Sequence, residues 1–149
     1  VQVVNTIGAM GAGFGRSVSN KWPIAEKSIK GLKKEPDGLH IGRLNLIELE
    51  DDVSLFQIVA QKGVRSKKTR TLLDYQALRK GLKKLAEYAI ESNSTIHMPP
   101  IGSGFGGGDW NIIKGMIFDE LISDNLSVTI YFLPGTLKNK SKQTQLFSG

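Results

Sequence analysis

Two glycine-rich stretches decide the fold of this chain. The first reads Asn5-Thr6-Ile7-Gly8-Ala9-Met10-Gly11-Ala12-Gly13-Phe14-Gly15, and the second reads Pro99-Pro100-Ile101-Gly102-Ser103-Gly104-Phe105-Gly106-Gly107-Gly108-Asp109-Trp110. Each follows a short run typical of a strand and precedes a segment typical of a helix. Glycine lets backbone N–H groups approach a ligand closely, and the helix N-terminus behind it favours an anion. Two such loops in one small domain predict a diphosphate site held from both sides.

The segments around these loops alternate between strand and helix. Apolar and β-branched runs predict strands at residues 1–5, 44–49, 55–60, 95–98 and 126–133. Helical patterning predicts helices at residues 16–22, 23–34, 72–91 and 110–122, with Asp109 as the N-cap of the last one. The first glycine loop (residues 8–15) and the second glycine loop (residues 102–108) connect them. This alternation predicts the α/β class, a single-domain α/β/α sandwich with a mixed central sheet.

Composition excludes several classes of protein and site. The 149 residues suit one domain, predicted at residues 1–134, followed by a flexible polar and basic tail at residues 135–149. The absence of cysteine excludes disulfides, zinc fingers and thiolate nucleophiles. No apolar run approaches the roughly 18 residues of a membrane helix, and no His, Asp and Glu cluster has metal-ligand spacing. We therefore expect no membrane association, no metal and no cofactor, in a monomeric protein of the cytoplasm, or of the nucleus in a eukaryote.

Two named nucleotide-binding motifs fail when they are tested against the loops. Gly8 and Gly13 have the separation of a P-loop, but Phe14 stands where the phosphate-binding lysine is required. Gly102, Gly104 and Gly107 match the dinucleotide fingerprint in spacing, but the next strand ends Tyr-Phe-Leu-Pro and supplies no acid for a ribose. The sequence therefore favours neither a nucleoside triphosphatase nor a dinucleotide-dependent dehydrogenase.

The two loops together resemble a known family. Asn-x-x-Gly-x-Met-Gly-x-Gly-x-Gly after the first strand, with Pro-x-Ile-Gly-x-Gly-x-x-Gly-Gly-Asp-Trp before the last helix, is similar to the macrodomains. The branch it resembles contains the terminal ADP-ribose protein glycohydrolase, the "Appr-1-p processing" proteins of phage and bacteria, and a chromatin remodeller's macrodomain. Residues 58–63 and 74–85 also resemble this branch, so the likeness covers nearly all of residues 1–133. The family's opening strand and Gly-Asp segment have no counterpart here, and a chain that begins with Val1 inside a strand is expected to lack the start of its domain.

The resemblance implies that the chain binds ADP-ribose in a cleft at the strand ends. It places Gly11, Ala12, Gly13 and Phe14 along the distal ribose and phosphate. It places Gly102, Ser103, Gly104, Phe105 and Gly106 around the diphosphate and distal ribose from the other side. Phe132 or Pro134, just past the last strand, is expected beside the adenine.

The resemblance also raises the question of catalysis, because the family's glycohydrolase uses a Lys after the middle strand and an Asp in the second glycine loop. Lys62 falls at or one residue beside the Lys position, whereas Gly106 occupies the Asp position and offers no side chain. Lys62 could attack a ribose carbon if its amine were neutral, and Asn5 could orient a water or the distal ribose. Their alternative roles are a solvated charge for Lys62 and closure of the turn by the Asn5 amide. His97, between two apolar residues of a strand, is expected to be a packed core residue.

Three functions follow from these residues. The first is binding of ADP-ribose with its removal from a modified macromolecule or a related ADP-ribose derivative, which is ADP-ribosyl hydrolase activity. The second is a non-catalytic reader of ADP-ribose or poly-ADP-ribose. The third is a nucleic-acid-binding domain, because the net charge is +6 and residues 62–70 hold five cations, with Lys138, Lys140 and Lys142 adding a basic tail. The basic loop contains no aromatic residue for base stacking, which weakens the third reading.

Overall fold

The computed structural model describes residues 1–64, 72–104 and 106–135, and the backbone of residues 144–147. The strands are β1 (Gln2–Asn5), β2 (Leu44–Glu50), β3 (Val53–Gln61), β4 (Ile96–Met98), β5 (Val128–Tyr131) and β6 (Thr144–Phe147). The helices are α1 (Gly13–Lys21), α2 (Pro23–Lys34), α3 (Tyr75–Ser92) and α4 (Trp110–Glu120), followed by a 3₁₀ turn at Ile122–Asp124. Within the described ranges, no helix combines the length and the hydropathy needed to cross a bilayer.

The strands form two mixed three-stranded sheets, in the orders β1-β3-β2 and β4-β5-β6. β1 is parallel to β3 and β4 is parallel to β5, while β2 and β6 run antiparallel to their neighbours. The Val1 amino nitrogen donates to the His97 carbonyl oxygen at 2.8 Å, so the two sheets meet at β1 and β4. The predicted α/β class with mixed pairing is confirmed, and the central sheet is divided at this junction.

Helices cover both faces of the first sheet. Consecutive side chains of a strand point in opposite directions, so β3 presents apolar side chains to both faces. Ile58 on β3 packs in the core that contains α3 and α4, whereas Val59 packs against Ile29 of α2. The main core is completed by buried residues of α3, α4 and β5, among them Leu78, Leu82, Ile113, Ile117 and Ile130. The sheet therefore lies between the α1–α2 pair and the α3–α4 pair, as the predicted sandwich requires.

Side chains at the helix starts explain where α3 and α4 begin. The Asp74 carboxylate accepts a hydrogen bond from the Ala77 N–H at 2.9 Å, and the Asp109 carboxylate accepts one from the Asn111 N–H at 2.8 Å. Asp109 is therefore the N-cap that the sequence predicts. The predicted start of α3 at residue 72 is wrong, because Leu73 is extended and forms a bridge with Gln61 before the Asp74 cap.

Three further predicted boundaries differ from the structure. α1 begins at Gly13, inside the predicted loop, and its first turn lies close to β1, since a Cβ on Gly15 would lie 3.3 Å from the Gln2 Nε2. β5 ends at Tyr131 and is shorter than the predicted strand at residues 126–133. The prediction of a loose tail at residues 135–149 is wrong over Thr144–Phe147, which pair with β5 as β6. Unpaired backbone groups on the edge of β5 explain this pairing.

Candidate functional site

A cavity of about 2190 Å³ runs along the junction of the two sheets. It reaches the carboxyl ends of β1, β3, β4 and β5, where Asn5, Gln61, Met98 and Phe132 line it. Open α/β sheets bind their ligands at this edge. The predicted binding residues that line it are Gly11, Ala12, Gly13, Phe14, Gly102, Ser103, Gly104, Gly106 and Phe132. Phe105 lies outside the described residues, and the contacts of the others with a ligand stay a prediction.

The Asn5 side chain organises the first glycine loop from within. Its Nδ2 donates to the Ala9 carbonyl at 3.0 Å, and its Oδ1 accepts from the N–H groups of Ile7 at 3.1 Å and Ala9 at 3.0 Å. Asn5 is buried, with 8% of its surface exposed, so these bonds are shielded from water. The structure thus gives Asn5 the loop-closing role that the sequence offered as an alternative, and its predicted role in orienting a water or the distal ribose stays a prediction.

The N-terminus of α1 is open toward the cavity. Its N-cap, Ala12, has extended backbone and makes no side-chain capping bond, and the first turn contains no acidic residue. The N–H groups of a helix's first turn have no intrahelical acceptor, so they carry the positive end of the helix dipole. A Cβ on Gly11 would meet nothing within 4 Å, which leaves room beside this helix end. The first glycine loop therefore presents donors and partial positive charge, as a phosphate site requires.

The second glycine loop is closely packed at Gly106 and Gly108, whereas a Cβ on Gly104 would meet nothing within 4 Å. The Gly106 carbonyl accepts from the N–H groups of Leu72 at 2.9 Å and Leu73 at 3.2 Å. A Cβ on Gly106 would lie 2.9 Å from the Gly102 carbonyl oxygen. A Cβ on Gly108 would lie 2.6 Å from the Leu73 Cδ2 and 2.7 Å from the same Gly102 oxygen. The loop thus leaves no room for a side chain at either position, including the position of the family's catalytic Asp.

The helix behind the second loop begins differently from α1. The Asp109 carboxylate caps the Asn111 N–H, and the Asp109 N–H donates to the Tyr75 hydroxyl oxygen at 2.8 Å. The α4 N-terminus therefore already holds an anionic group. The Asp109 charge would repel a second anion at this helix end. The sequence predicts that a helix dipole favours an anion at both loops, and this prediction now applies to the first loop alone.

Two aromatic rings form a corner at the far end of the site. Trp110 and Phe132 meet edge to face, with ring centroids 5.8 Å apart and an interplanar angle of 85°. Both line the cavity, whereas Pro134, the other predicted neighbour of the adenine, does not. Edge-to-face packing fixes the orientation of both rings and leaves an apolar surface suited to a planar base. Sequence reasoning missed Trp110, although its place directly after the Asp109 cap indicated a residue at the mouth of the loop.

At the end of β3, Gln61 and the candidate catalytic residue Lys62 have different surroundings. Gln61 lines the cavity, whereas Lys62 is exposed and is absent from the lining. Alternation along the strand explains the difference, because successive side chains leave opposite faces. Sequence reasoning missed Gln61, which the same alternation could have identified. The catalytic role of Lys62 stays a prediction.

Most of the predicted basic loop cannot be placed relative to the cavity. Arg65, Lys67, Lys68 and Arg70 lie outside the described residues, and so do Lys138, Lys140 and Lys142 of the tail. Among the residues that the structure describes, no group of three His, Asp or Glu side chains could hold a metal ion.

The expectation that His97 is a packed core residue is wrong. Ile96 and Met98 are buried, and His97 points to the opposite, exposed face of β4. Its Nδ1 lies 2.8 Å from the Tyr131 hydroxyl and its Nε2 lies 2.9 Å from the Thr95 hydroxyl. The rings of His97 and Tyr131 stack, with their centroids 5.8 Å apart. At this position β4 is covered on one face only, so the side chain of its middle residue, His97, is exposed.

Comparison with solved structures identifies relatives of this fold. A protein of unknown function from Bacteroides thetaiotaomicron is 30% identical, with a TM-score of 0.83, over 89% of this chain and 85% of that one. A macrodomain protein from Streptomyces coelicolor is 25% identical, with a TM-score of 0.75, over 90% and 86%. Thermosipho africanus DarTG, in complex with ADP-ribose, is 20% identical with a TM-score of 0.71, over 93% of this chain and 38% of that one.

No family model matches the chain, and no curated protein matches it either. Kinship therefore rests on the 30% identity with the Bacteroides thetaiotaomicron protein over 89% of the chain, together with the fold shared with the Streptomyces coelicolor macrodomain protein. Both glycine loops lie within one cavity at the strand ends, as the resemblance in sequence implied. The chain belongs to the macrodomain family.

Proposed function

We propose that this chain binds ADP-ribose in the cavity at the carboxyl ends of β1, β3, β4 and β5. The observation that carries the proposal is that the open N-terminus of α1, the second glycine loop and the aromatic corner of Trp110 and Phe132 line one cavity. A planar base, a diphosphate and a sugar are the groups that these three surfaces accept. The DarTG structure with ADP-ribose supports the choice of ligand.

The strand order gives the direction in which the ligand lies. β3 and β1 are neighbours in the first sheet, β4 and β5 are neighbours in the second, and β1 meets β4 at the Val1–His97 hydrogen bond, so Gln61 and Phe132 stand at the two ends of this series of strand ends. In the proposed arrangement the base packs on Phe132, the diphosphate lies beside the α1 N-terminus, and the second ribose lies toward Asn5 and Gln61. The diphosphate then lies beside the backbone N–H groups of the α1 N-terminus and away from the Asp109 carboxylate at the α4 N-terminus.

The finer question is whether the bound group is also removed from a macromolecule. Lys62 directly follows a residue that lines the cavity, which is the observation in favour of hydrolysis. Its exposed side chain lies outside that lining, and the second loop has no room for a side chain at Gly106. Binding without turnover, as in a reader of ADP-ribosylated protein or nucleic acid, is therefore the form of the proposal that the geometry supports best.

Calorimetric titration of the full chain with ADP-ribose tests the proposal. We expect one ligand per chain, and we expect Gly11→Glu to weaken binding about 100-fold, because its carboxylate enters open space beside the diphosphate. The matched control is Gly115→Glu, since Gly115 is an exposed α4 glycine with nothing within 4 Å of its Cβ position and lies away from the cavity. Binding of undiminished strength in Gly11→Glu would contradict the site.

A turnover assay on the unmodified chain and on Lys62→Ala distinguishes a reader from a hydrolase. Incubation with a mono-ADP-ribosylated protein, followed by chromatography for free ADP-ribose, measures turnover directly. Release that disappears in Lys62→Ala would establish the hydrolase, whereas binding without release would establish the reader.

A further inference from the structure

Gln61 lies at the end of β3, between the end of β1 and Gly106 of the second glycine loop. Its backbone carbonyl accepts from the Thr6 N–H at 2.9 Å, which joins it to the end of β1. Its side chain lines the cavity and is half-buried. The Gln61 Nε2 donates to the Gly63 carbonyl at 3.4 Å, which orients the amide. Among the described residues, none donates a hydrogen bond to the Gln61 Oε1.

The Gln61 amide oxygen also borders the space that a side chain at position 106 would need. A Cβ on Gly106 would lie 3.3 Å from this oxygen and 2.9 Å from the Gly102 carbonyl oxygen. The Gly106 carbonyl is held in turn by the N–H groups of Leu72 and Leu73. A neutral amide acceptor therefore stands at this end of the cavity, where position 106 contributes no polar side chain.

We infer that Gln61 is a specificity-determining residue, whose amide oxygen accepts a hydrogen bond from a hydroxyl group on the second sugar of the ligand. The inference rests on the proposed function, and it deepens that proposal by naming how the sugar end is recognised. Gln61 ends β3 in the first sheet and Phe132 follows β5 in the second sheet, and both line the cavity. A base that packs on Phe132 therefore directs the other end of the ligand toward Gln61.

The chemistry of the acceptor determines what it selects. A ribose hydroxyl donates a hydrogen bond, whereas a terminal phosphate at neutral pH presents anionic oxygens that an amide oxygen repels. Gln61 therefore favours a diphosphate that continues into a sugar over one that ends in a free phosphate. Because neither an amide nor a ribose hydroxyl titrates near neutrality, the hydrogen bond between Gln61 and the sugar is independent of pH there.

The test compares two ligands that share the base and the diphosphate, namely ADP-ribose and ADP. Calorimetric titration of the full chain is expected to show tighter binding of ADP-ribose. Gln61→Leu, which keeps the approximate size of the side chain and removes the acceptor, should weaken ADP-ribose binding about three- to tenfold and leave ADP binding within about twofold. The control is Gln76→Leu, the same substitution at an exposed residue of α3 that does not line the cavity.

Gln61→Asn covers the case in which Gln61→Leu does not fold, as judged by its melting transition. The shorter amide withdraws the acceptor from the cavity and should give the same selective loss. Equal weakening of both ligands, or no weakening of either, would overturn the role of Gln61 while leaving the proposed function intact. If the unmodified chain binds neither ligand, the proposed function and this inference are both wrong.

Discussion

The first and second glycine loops look alike in sequence and differ in their physics. The first closes around the buried Asn5 amide, leaves open space at Gly11 and leads into a helix without a capping side chain. The second has backbone or side-chain atoms within 2.9 Å of the Cβ positions of Gly106 and Gly108 and leads into a helix capped by Asp109. Glycine leaves open space at position 11 of the first loop and permits close packing at positions 106 and 108 of the second.

This difference assigns the loops different parts in the proposed site. An uncapped helix end attracts an anion, while a helix end that already holds a carboxylate repels one. The first loop should therefore carry the diphosphate charge, and the second should form a shaped wall. Composition does not distinguish these two uses of glycine, because both need the absence of a side chain.

The largest effect on the free energy of unfolding should come from a methyl group added to the second loop, with the same addition to the first loop as the comparison. Gly108→Ala forces its Cβ against Leu73 and the Gly102 carbonyl, so we expect it to lower the free energy of unfolding by about 3 kcal/mol. Gly11→Ala enters open space and should change that free energy by no more than about 0.5 kcal/mol. Urea denaturation of both variants measures the contrast. Equal destabilisation by the two substitutions would show that the loops are packed alike.

A smaller effect should follow from loss of the amide that closes the first loop. Asn5→Ala leaves the N–H groups of Ile7 and Ala9 without their acceptor, so we expect a loss of about 2 kcal/mol in unfolding free energy, with weaker ADP-ribose binding. Asn20→Ala, at an exposed position of α1, is the matched control and should change stability by no more than about 0.5 kcal/mol. An Asn5→Ala chain as stable as the parent would mean that the loop holds its shape without this side chain.

The smallest effect concerns the cap of α4. Asp109→Ala removes the N-cap and should cost about 1 kcal/mol of unfolding free energy, whereas Asp109→Asn keeps an acceptor and should be nearly neutral. Asp109→Asn should also leave ADP-ribose binding unimpaired, because it removes a negative charge without opening the cavity. A loss of affinity above tenfold in Asp109→Asn would show that the α4 N-terminus takes part in binding after all.

Much of the fold could be predicted because it depends on local patterns. Strand runs and helical spacing predict the order of β1 to β5 and α1 to α4, and the position of Asp109 before α4 predicts that it is a cap. Leu72 and Leu73 are apolar, as helix residues often are, so the sequence predicts a start of α3 that is too early. Their extended shape depends on Gln61 and Gly106, which are distant in sequence.

The sequence by itself determined the alternation of strands and helices, the two glycine-rich junctions and the family they resemble, since each is written in neighbouring residues. Only the tertiary structure decided that Gln61 faces the cavity while Lys62 does not, that His97 is exposed, and that the Gly11 position is open while the Gly106 and Gly108 positions are packed. These outcomes depend on which elements cover each face of a strand and on contacts such as that of Tyr75 with Asp109, 34 residues apart. A local pattern restricts the backbone, but the environment of a side chain is set by segments that meet only when the chain folds.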